Sequence, residues 1–170
     1  DKKKILYYFT NVIYFGIFIS LLISFFGLYF SESIFKIMGS TNEVIFLGLE
    51  YTNIIFSGTI LFILVVSFNS LLHAEGDTKT YRNALIFSFF LNIILNPIFI
   101  FGFMFIPAYG VKGIGIATII SQTLSFLIVF FKVMQNKRVK EITKEYLKFK
   151  FFYLKDIFFQ SMPISLAICG

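Results

Sequence analysis

The chain alternates between long uncharged, apolar runs and short segments that carry charge. Four uncharged runs stand out, at residues 5–30, 51–72, 83–111 and 113–131. About 20 helical residues cross a hydrocarbon core about 30 Å thick, and each run approaches or exceeds that length. Because unpaired backbone groups are costly in lipid, the pattern predicts four membrane-spanning helices.

The third run is longer than one straight span requires. We expect its helix to cross from about residue 84 to residue 105 and then to turn through Pro107 and Gly110, which are common turn residues. Residues 31–50, which carry three glutamates, are predicted to form a short amphipathic connector. The predicted spans are therefore about 5–30, 51–72, 84–105 and 113–131.

Composition agrees with a membrane protein. Hydrophobic residues make up 58% of the 170 residues and charged residues only 14%, whereas soluble domains have about 45–50% apolar and about 25% charged residues. The predicted fold class is an all-α integral membrane protein, a polytopic helical bundle. Cys169 and His73 are each the only residue of their type, and the spans hold no paired carboxylates. We therefore expect no enzyme, no metal site and no cofactor.

The distribution of Lys and Arg predicts the orientation, because cytoplasmic loops are rich in these residues. Thirteen of the 15 lie in residues 1–4, 73–82 and 132–156, and only Lys36 and Lys112 lie on the other side. We expect those three segments to be cytoplasmic and the protein to be a multi-pass protein of the plasma membrane. The alternation of sides independently favours four spans in this order.

The carboxyl-terminal part differs from the spans. Residues 132–156 are predicted to form a basic cytoplasmic linker, solvated or lying at the membrane interface. A specific site for an anionic lipid or nucleic acid is the alternative; we expect the lipid bilayer, and no nucleic acid, as a partner. Residues 157–170 begin a further apolar helix, cut short. Because the chain starts with Asp1 rather than Met, we expect it to be a piece of a longer protein.

Two amides inside the third span need an explanation. Asn92 and Asn96 share one face of a helix, and Pro97 follows them and frees the carbonyl group of Ile93, which predicts a bend there. An unpaired amide facing lipid costs on the order of several kcal/mol, so we expect both amides, and Asn69 in the second span, to face protein or water. Two interpretations stay open: amides that join helices, or a solute or cation pathway.

Small residues at the start of the fourth span predict a packing feature. Gly110, Gly113 and Gly115 resemble a phosphate-binding loop only superficially, since no strand precedes them and no Lys-Ser/Thr follows. We expect a tight turn and a close approach of two helices instead.

Three motifs together resemble the multidrug and toxic compound extrusion (MATE) transporters. The run S-L-L-H-A-E-G-D-T-K at residues 70–79 leaves the second span, and N-x-x-x-N-P at residues 92–97 lies in the third. The pattern G-V-x-G-x-x-x-A-T-x-x-S-Q at residues 110–122 then enters the fourth. Each motif alone is weak, whereas their joint order and spacing are specific, and the resemblance covers most of the chain.

The resemblance implies a twelve-helix transporter in two bundles that rock to give alternating access. The four spans would be helices three to six of the amino-terminal bundle, and the carboxyl-terminal bundle of the same full-length chain would be their partner. It also implies a secondary active antiporter that exports cationic or amphiphilic drugs against entry of sodium or protons. The alternatives are a lipid-linked oligosaccharide flippase of the same superfamily and a truncated, non-transporting remnant.

The resemblance also implies site residues. Matched by motif, the cation, proton or substrate pathway falls on Tyr51, Asn69, Asn92, Asn96 and Thr118. Many family members have an aspartate where this chain has Asn96, and an amide cannot carry a proton. Its carbonyl oxygen can still bind a hard cation, which prefers oxygen ligands. We hypothesise that coupling uses the oxygens of Asn92, Asn96 and Thr118 with an acid from sequence outside this chain, or that coupling has moved to the other bundle.

Overall fold

A computed structural model describes residues 2–140, together with residues 152, 153, 155, 156 and 159. Most of the predicted linker beyond residue 140 and nearly all of the predicted helix at 157–170 lie outside the described residues. The part that is described is almost wholly helical, which confirms the all-α fold class.

Six helices follow one another along the described chain. They are α1 (Lys2–Ile37), α2 (Asn42–Ser57), α3 (Thr59–Ala74), α4 (Lys79–Phe101), α5 (Val111–Met134) and the short α6 (Lys137–Lys140). Helices α2 and α3 continue each other across one residue. Four helical stretches are thus long and apolar enough to cross a membrane: α1, the α2–α3 pair, α4 and α5.

The connection between the first two spans is shorter than predicted. Helix α1 continues to Ile37, with an exposed ion pair of 2.6 Å between Glu32 and Lys36, four residues apart on its surface. A turn at Gly39, with a positive φ of 75°, then ends the helix. The expected connector over residues 31–50 was wrong, because Glu32 and Lys36 pair along the surface of α1 instead of ending it, and α2 already begins at Asn42.

A single residue, Gly58, interrupts the second span. Its φ and ψ are −92° and 3°, and its N–H still donates to the carbonyl of Ile54 at 3.1 Å. A Cβ atom at this position would lie 2.1 Å from the Cδ1 of Ile119 in α5, so the glycine leaves room for that side chain. Sequence reasoning missed this break, since one isolated glycine lowers helix propensity without predicting an interruption.

Helix α4 ends at Phe101, before the predicted end near residue 105. Gly102 adopts a positive φ of 79° and reverses the chain. The backbone N–H of Tyr109 then donates to the carbonyl of Phe99 at 2.9 Å, which satisfies one of the free carbonyl groups at the helix end. The apolar residues 103–105 misled the prediction, because they lie in a turn rather than in the helix.

Helices α4 and α5 approach each other closely at Gly113. A Cβ atom there would lie 2.4 Å from the carbonyl oxygen of Phe99 and 2.6 Å from its carbon. These are backbone atoms, which cannot move aside as a flexible side chain can. Gly110 makes the turn before the helix with a φ of 58°. The predicted tight turn and close helix–helix approach are confirmed.

The packed core lies at the end of the bundle where α1 and α4 begin and α3 and α5 finish. Its buried members are Phe9, Phe68, Leu71, Leu72, Ala84, Val129 and Val133. Outside this core, many large apolar side chains of α1 and α4 are exposed, as contact with hydrocarbon requires. The helix ends that flank residues 1–4, 73–82 and 135–140 therefore gather at one end, which we call the core end.

Candidate functional site

A chain of hydrogen bonds joins the second half of α4 to the first half of α5. The Nδ2 group of Asn96 donates to Asn92 Oδ1 at 2.8 Å, and Asn92 Nδ2 donates to Thr118 Oγ1 at 3.3 Å. Thr118 in turn donates to the carbonyl of Ile114 at 2.8 Å. The residue at the start of this chain, Asn96, also has a side-chain oxygen, Oδ1, which is buried and has no hydrogen-bond partner among the described residues. The chain of bonds therefore presents one acceptor oxygen at its start.

The other face of α4 is apolar. Asn92 and Asn96 are half-buried, whereas Ile93 and Ile94 expose 51% and 58% of their surfaces. Their four-residue spacing places both amides on the side that faces α5, and leaves the aliphatic side chains for lipid. The amides therefore face protein.

The remaining residues of the predicted pathway lie apart from this chain of bonds. Tyr51 is half-buried on α2, and Asn69 is buried on α3. Within the described ranges, neither forms a hydrogen bond with the α4–α5 amides. Pro97 is exposed inside α4, which continues to Phe101. Of the five predicted pathway residues, the structure thus joins three by hydrogen bonds: Asn92, Asn96 and Thr118.

Sequence reasoning missed three polar residues beside the amides. A cavity of about 250 Å³ lies between α4 and α5, where Ser88, Ser121 and Gln122 line it together with Asn92 and Thr118. The signal was present in the spacing. Ser88 precedes Asn92 by four residues, and Ser121 and Gln122 follow Thr118 by three and four, so each shares a helix face with a predicted site residue.

The site contains dipoles but no ionisable group. Residues 83–111 and 113–131 hold no Asp, Glu, Lys, Arg or His. Its functional atoms are amide and hydroxyl oxygens, which are ligands for hard cations. The arrangement can therefore bind a cation or water through oxygen, and it cannot release or accept a proton near neutral pH.

The loop from α3 to α4 is built by the G-D pair of the first motif. Gly76 adopts a positive φ of 80°, and Asp77 Oδ1 accepts from the backbone N–H of Thr80 at 3.0 Å. The Thr80 hydroxyl donates to the other carboxylate oxygen at 2.7 Å. These bonds, chiefly that from the Thr80 hydroxyl, hold the pKa of Asp77 below its ordinary value, and Lys132 of α5 contributes in the same direction. Asp77 thus caps the start of α4.

The same loop is also attached to α5. The side-chain amide of Asn136, just beyond α5, donates a hydrogen bond to the carboxylate of Glu75. Together with the cap at Asp77, this bond holds the start of α4 against the end of α5. The two helices that form the amide site are therefore fixed to each other at the core end and closely packed at Gly113.

A larger cavity, of about 780 Å³, lies between α2, α3 and α5, around the break at Gly58. Glu50 and Lys112 line it, together with the polar side chains of Asn53 and Ser57 and several isoleucines. Its volume falls in the range of about 300–1,000 Å³ that is common for small-molecule sites. It combines apolar walls with one carboxylate, that of Glu50, and one ammonium group, that of Lys112.

The described helices form a bundle with four stretches that are long and apolar enough to cross a membrane, and comparisons with known proteins identify its family. The family model MatE matches residues 1–98. The chain is 30% identical over 166 residues to the multidrug export protein MepA of Staphylococcus aureus, covering 98% of this chain and 36% of that protein. It is 30% identical over 146 residues to the probable multidrug resistance protein NorM of Mannheimia succiniciproducens, covering 84% of this chain and 31% of that protein.

Solved structures show the same fold. An inward-facing multidrug resistance MATE family transporter of the MOP superfamily superposes with a TM-score of 0.75 at 23% identity, over 91% of this chain and 41% of that one. A MATE structure in the bent conformation gives 0.68 at 21% identity, over 86% and 38%. The chain belongs to the MATE family and is a multi-pass membrane protein. It spans about a third of the length of the curated relatives named above.

Proposed function

We propose that the full-length protein is a secondary active exporter of cationic or amphiphilic compounds, and that the coupling ion binds at the amides between α4 and α5. The proposal rests on one observation: Asn96 Oδ1 is buried and has no hydrogen-bond partner among the described residues. It lies at the start of a chain of hydrogen bonds that runs from Asn96 to Asn92 and on to Thr118, away from this oxygen. The curated relatives that bear multidrug names support the choice of substrate class.

Sodium is the coupling ion that this site fits. Asn92, Asn96 and Thr118 offer neutral oxygens, and none of them changes protonation between pH 5 and 8. A proton has no group here that could carry it, whereas a sodium ion needs only oxygen ligands. An acid from the rest of the full-length chain would supply the compensating charge.

The substrate would reach the larger cavity around Gly58. Its apolar walls suit the apolar part of an amphiphile, and Glu50 offers a carboxylate to a cationic group, while Lys112 lines the same cavity with the opposite charge. A lipid-linked oligosaccharide flippase would instead need cationic side chains for a pyrophosphate in mid-membrane. The stretches 5–30, 51–72, 83–111 and 113–131 contain none, and Lys112, which lines this cavity, lies at the start of α5 and not in mid-membrane.

In this proposal the protein lies in the plasma membrane, and the core end faces the cytoplasm. Residues 1–4, 73–82 and 132–156 would be cytoplasmic, since they carry most of the Lys and Arg residues. The carboxyl-terminal bundle of the full-length chain would pack against the described helices and complete the substrate route.

Transport by the full-length protein in proteoliposomes tests the proposal. We expect efflux of a fluorescent lipophilic cation to be driven by a sodium gradient and not by a pH gradient. Asn96→Ala should raise the sodium concentration for half-maximal efflux about 10- to 150-fold, because a bond from a neutral group to a charge contributes about 1.5–3 kcal/mol. Asn96→Asp should add a response to the pH gradient.

The matched control is Ile94→Ala, which changes the lipid-facing side of the same helix turn and should leave sodium dependence unchanged. If Asn96→Ala needs the same sodium concentration for half-maximal efflux as the wild-type protein, the assignment of the ion to this site is contradicted.

A further inference from the structure

Buried oxygens without partners continue beyond the amides toward the core end. Among the residues that the structure describes, Ser121 Oγ, Gln122 Oε1 and Ser125 Oγ are buried and form no hydrogen bond. Ser121 and Ser125 expose only 2% and 0% of their surfaces. Most buried polar atoms in proteins are hydrogen-bonded to protein or water, so three such oxygens close together on one helix require an explanation.

These oxygens lie on one face of α5. Thr118, Ser121, Gln122 and Ser125 follow the i, i+3, i+4, i+7 spacing of a helix stripe. Ser88, Asn92 and Asn96 form the facing stripe on α4, at a spacing of four residues. At 1.5 Å per residue, each stripe is about 10–12 Å long, which is about a third of a hydrocarbon core of roughly 30 Å.

The space between the stripes is large enough for an ion and water. The cavity of about 250 Å³ is lined by Ser88, Ser121 and Gln122 next to Asn92. A water molecule takes up about 30 Å³ in the liquid, so several waters fit beside one ion. Leu85 and Phe89 form the apolar part of the wall.

We propose that Ser88, Ser121 and Gln122 form a second, oxygen-lined position for a small monovalent cation, between the amides and the core end. The ion passes through this position, partly hydrated, on its way between Asn96 and the cytoplasm. The inference rests on the proposed function in so far as the ion is the coupling ion. It adds three ligands and a direction of travel that the amide site alone does not give.

Cysteine accessibility in the full-length protein tests this position. Ser121→Cys is introduced in a background without other reactive cysteines, and its modification by a water-soluble methanethiosulfonate reagent is timed in inverted membrane vesicles. The cysteine thiolate attacks the sulfur of the reagent and releases a sulfinate, and a thiol ionises only where water reaches it, so modification needs a hydrated thiol. We expect modification in sodium-free buffer and slower modification when sodium replaces choline. The matched control is Ile128→Cys on the lipid-facing side of α5, which should stay unmodified.

Two further variants measure the role of Gln122 with the same readout. Gln122→Leu should raise the sodium concentration for half-maximal protection about 10- to 150-fold, because it removes an interaction of a neutral group with a charge, as Asn96→Ala does. Gln122→Glu should lower it, because a carboxylate attracts the ion more strongly; a residue that only packs would not respond in this direction.

The inference is overturned if Ser121→Cys reacts no faster than Ile128→Cys, or if sodium does not slow its modification. It fails separately from the proposed function. If sodium does not protect Ser121→Cys, but Asn96→Ala still reduces sodium-driven efflux, only the second position is refuted. If sodium protects Ser121→Cys, but Asn96→Ala does not change sodium-driven efflux, only the proposed coupling site is refuted.

Discussion

The close approach at Gly113 gives a prediction that connects packing to the site. In Gly113→Ala, the new Cβ would lie 2.4 Å from the carbonyl oxygen of Phe99. An ordinary contact begins near 3.4 Å, so α4 and α5 must separate by about 1 Å. The bond from Asn92 to Thr118 is already 3.3 Å long, and this separation would take it beyond hydrogen-bonding distance.

Gly113→Ala has two opposing effects on the free energy of unfolding. Overpacking of a tight interior costs typically about 1–3 kcal/mol, and a contact with backbone belongs at the upper end of that range. Alanine in place of glycine improves helix propensity by about 1 kcal/mol. The net loss for Gly113→Ala is about 2 kcal/mol, which corresponds to a roughly 30-fold change in the unfolding equilibrium.

Unfolding of the full-length protein by sodium dodecyl sulfate in mixed micelles measures this loss. The matched control is Gly115→Ala in the same helix. Its Cβ would meet side-chain atoms of Ile54 at 3.1 Å, which can move by a few tenths of an ångström, so we expect its stability to be unchanged or higher. Equal stabilities for the two variants would refute the conclusion that the Phe99 backbone forbids a side chain at Gly113.

Two other changes test single hydrogen bonds. Thr118→Val should cost about 1–3 kcal/mol in unfolding free energy, because Asn92 Nδ2 loses its acceptor; Thr123→Val, whose hydroxyl bonds only within its own helix in the described structure, should cost less, and equal losses would contradict the cross-helix role. The lowered pKa of Asp77 means that the charged carboxylate stabilises the fold above its unfolded pKa, and that this contribution is lost as the pH falls through the folded-state value. Asp77→Asn should remove that acid-dependent step from a pH series of unfolding measurements, whereas an unchanged series would show that the cap does not contribute.

The number and order of the spans could be predicted because membrane burial leaves long uncharged runs in the sequence. The ends of the helices could not, since Glu32 and Lys36 continue α1 as an ion pair and residues 103–105 are apolar in a turn. These ends depend on local hydrogen bonds and φ values, which hydropathy does not record.

The site was predictable in part for a similar reason. Asn92 and Asn96 are conspicuous as amides in an apolar helix, and their spacing already placed them on one face. Ser121 and Gln122 are less conspicuous, because serine and glutamine in a span can bond within their own helix. Only the packing of α4 against α5 shows that Ser121 has no such partner among the described residues.

The hydrogen bond from Asn136 to Glu75 restricts how the helices of the bundle can move relative to one another. A turn that is bonded to a neighbouring helix cannot swing alone, so α3, α4 and α5 must translate together where they meet the core. Any tilting of one helix against another then has its pivot there, and the amplitude grows with distance from that pivot. Because α4 and α5 also touch at Gly113, they tilt as a pair, and their greatest displacement against α2 is expected near Lys112 and Glu50, at the mouth of the larger cavity.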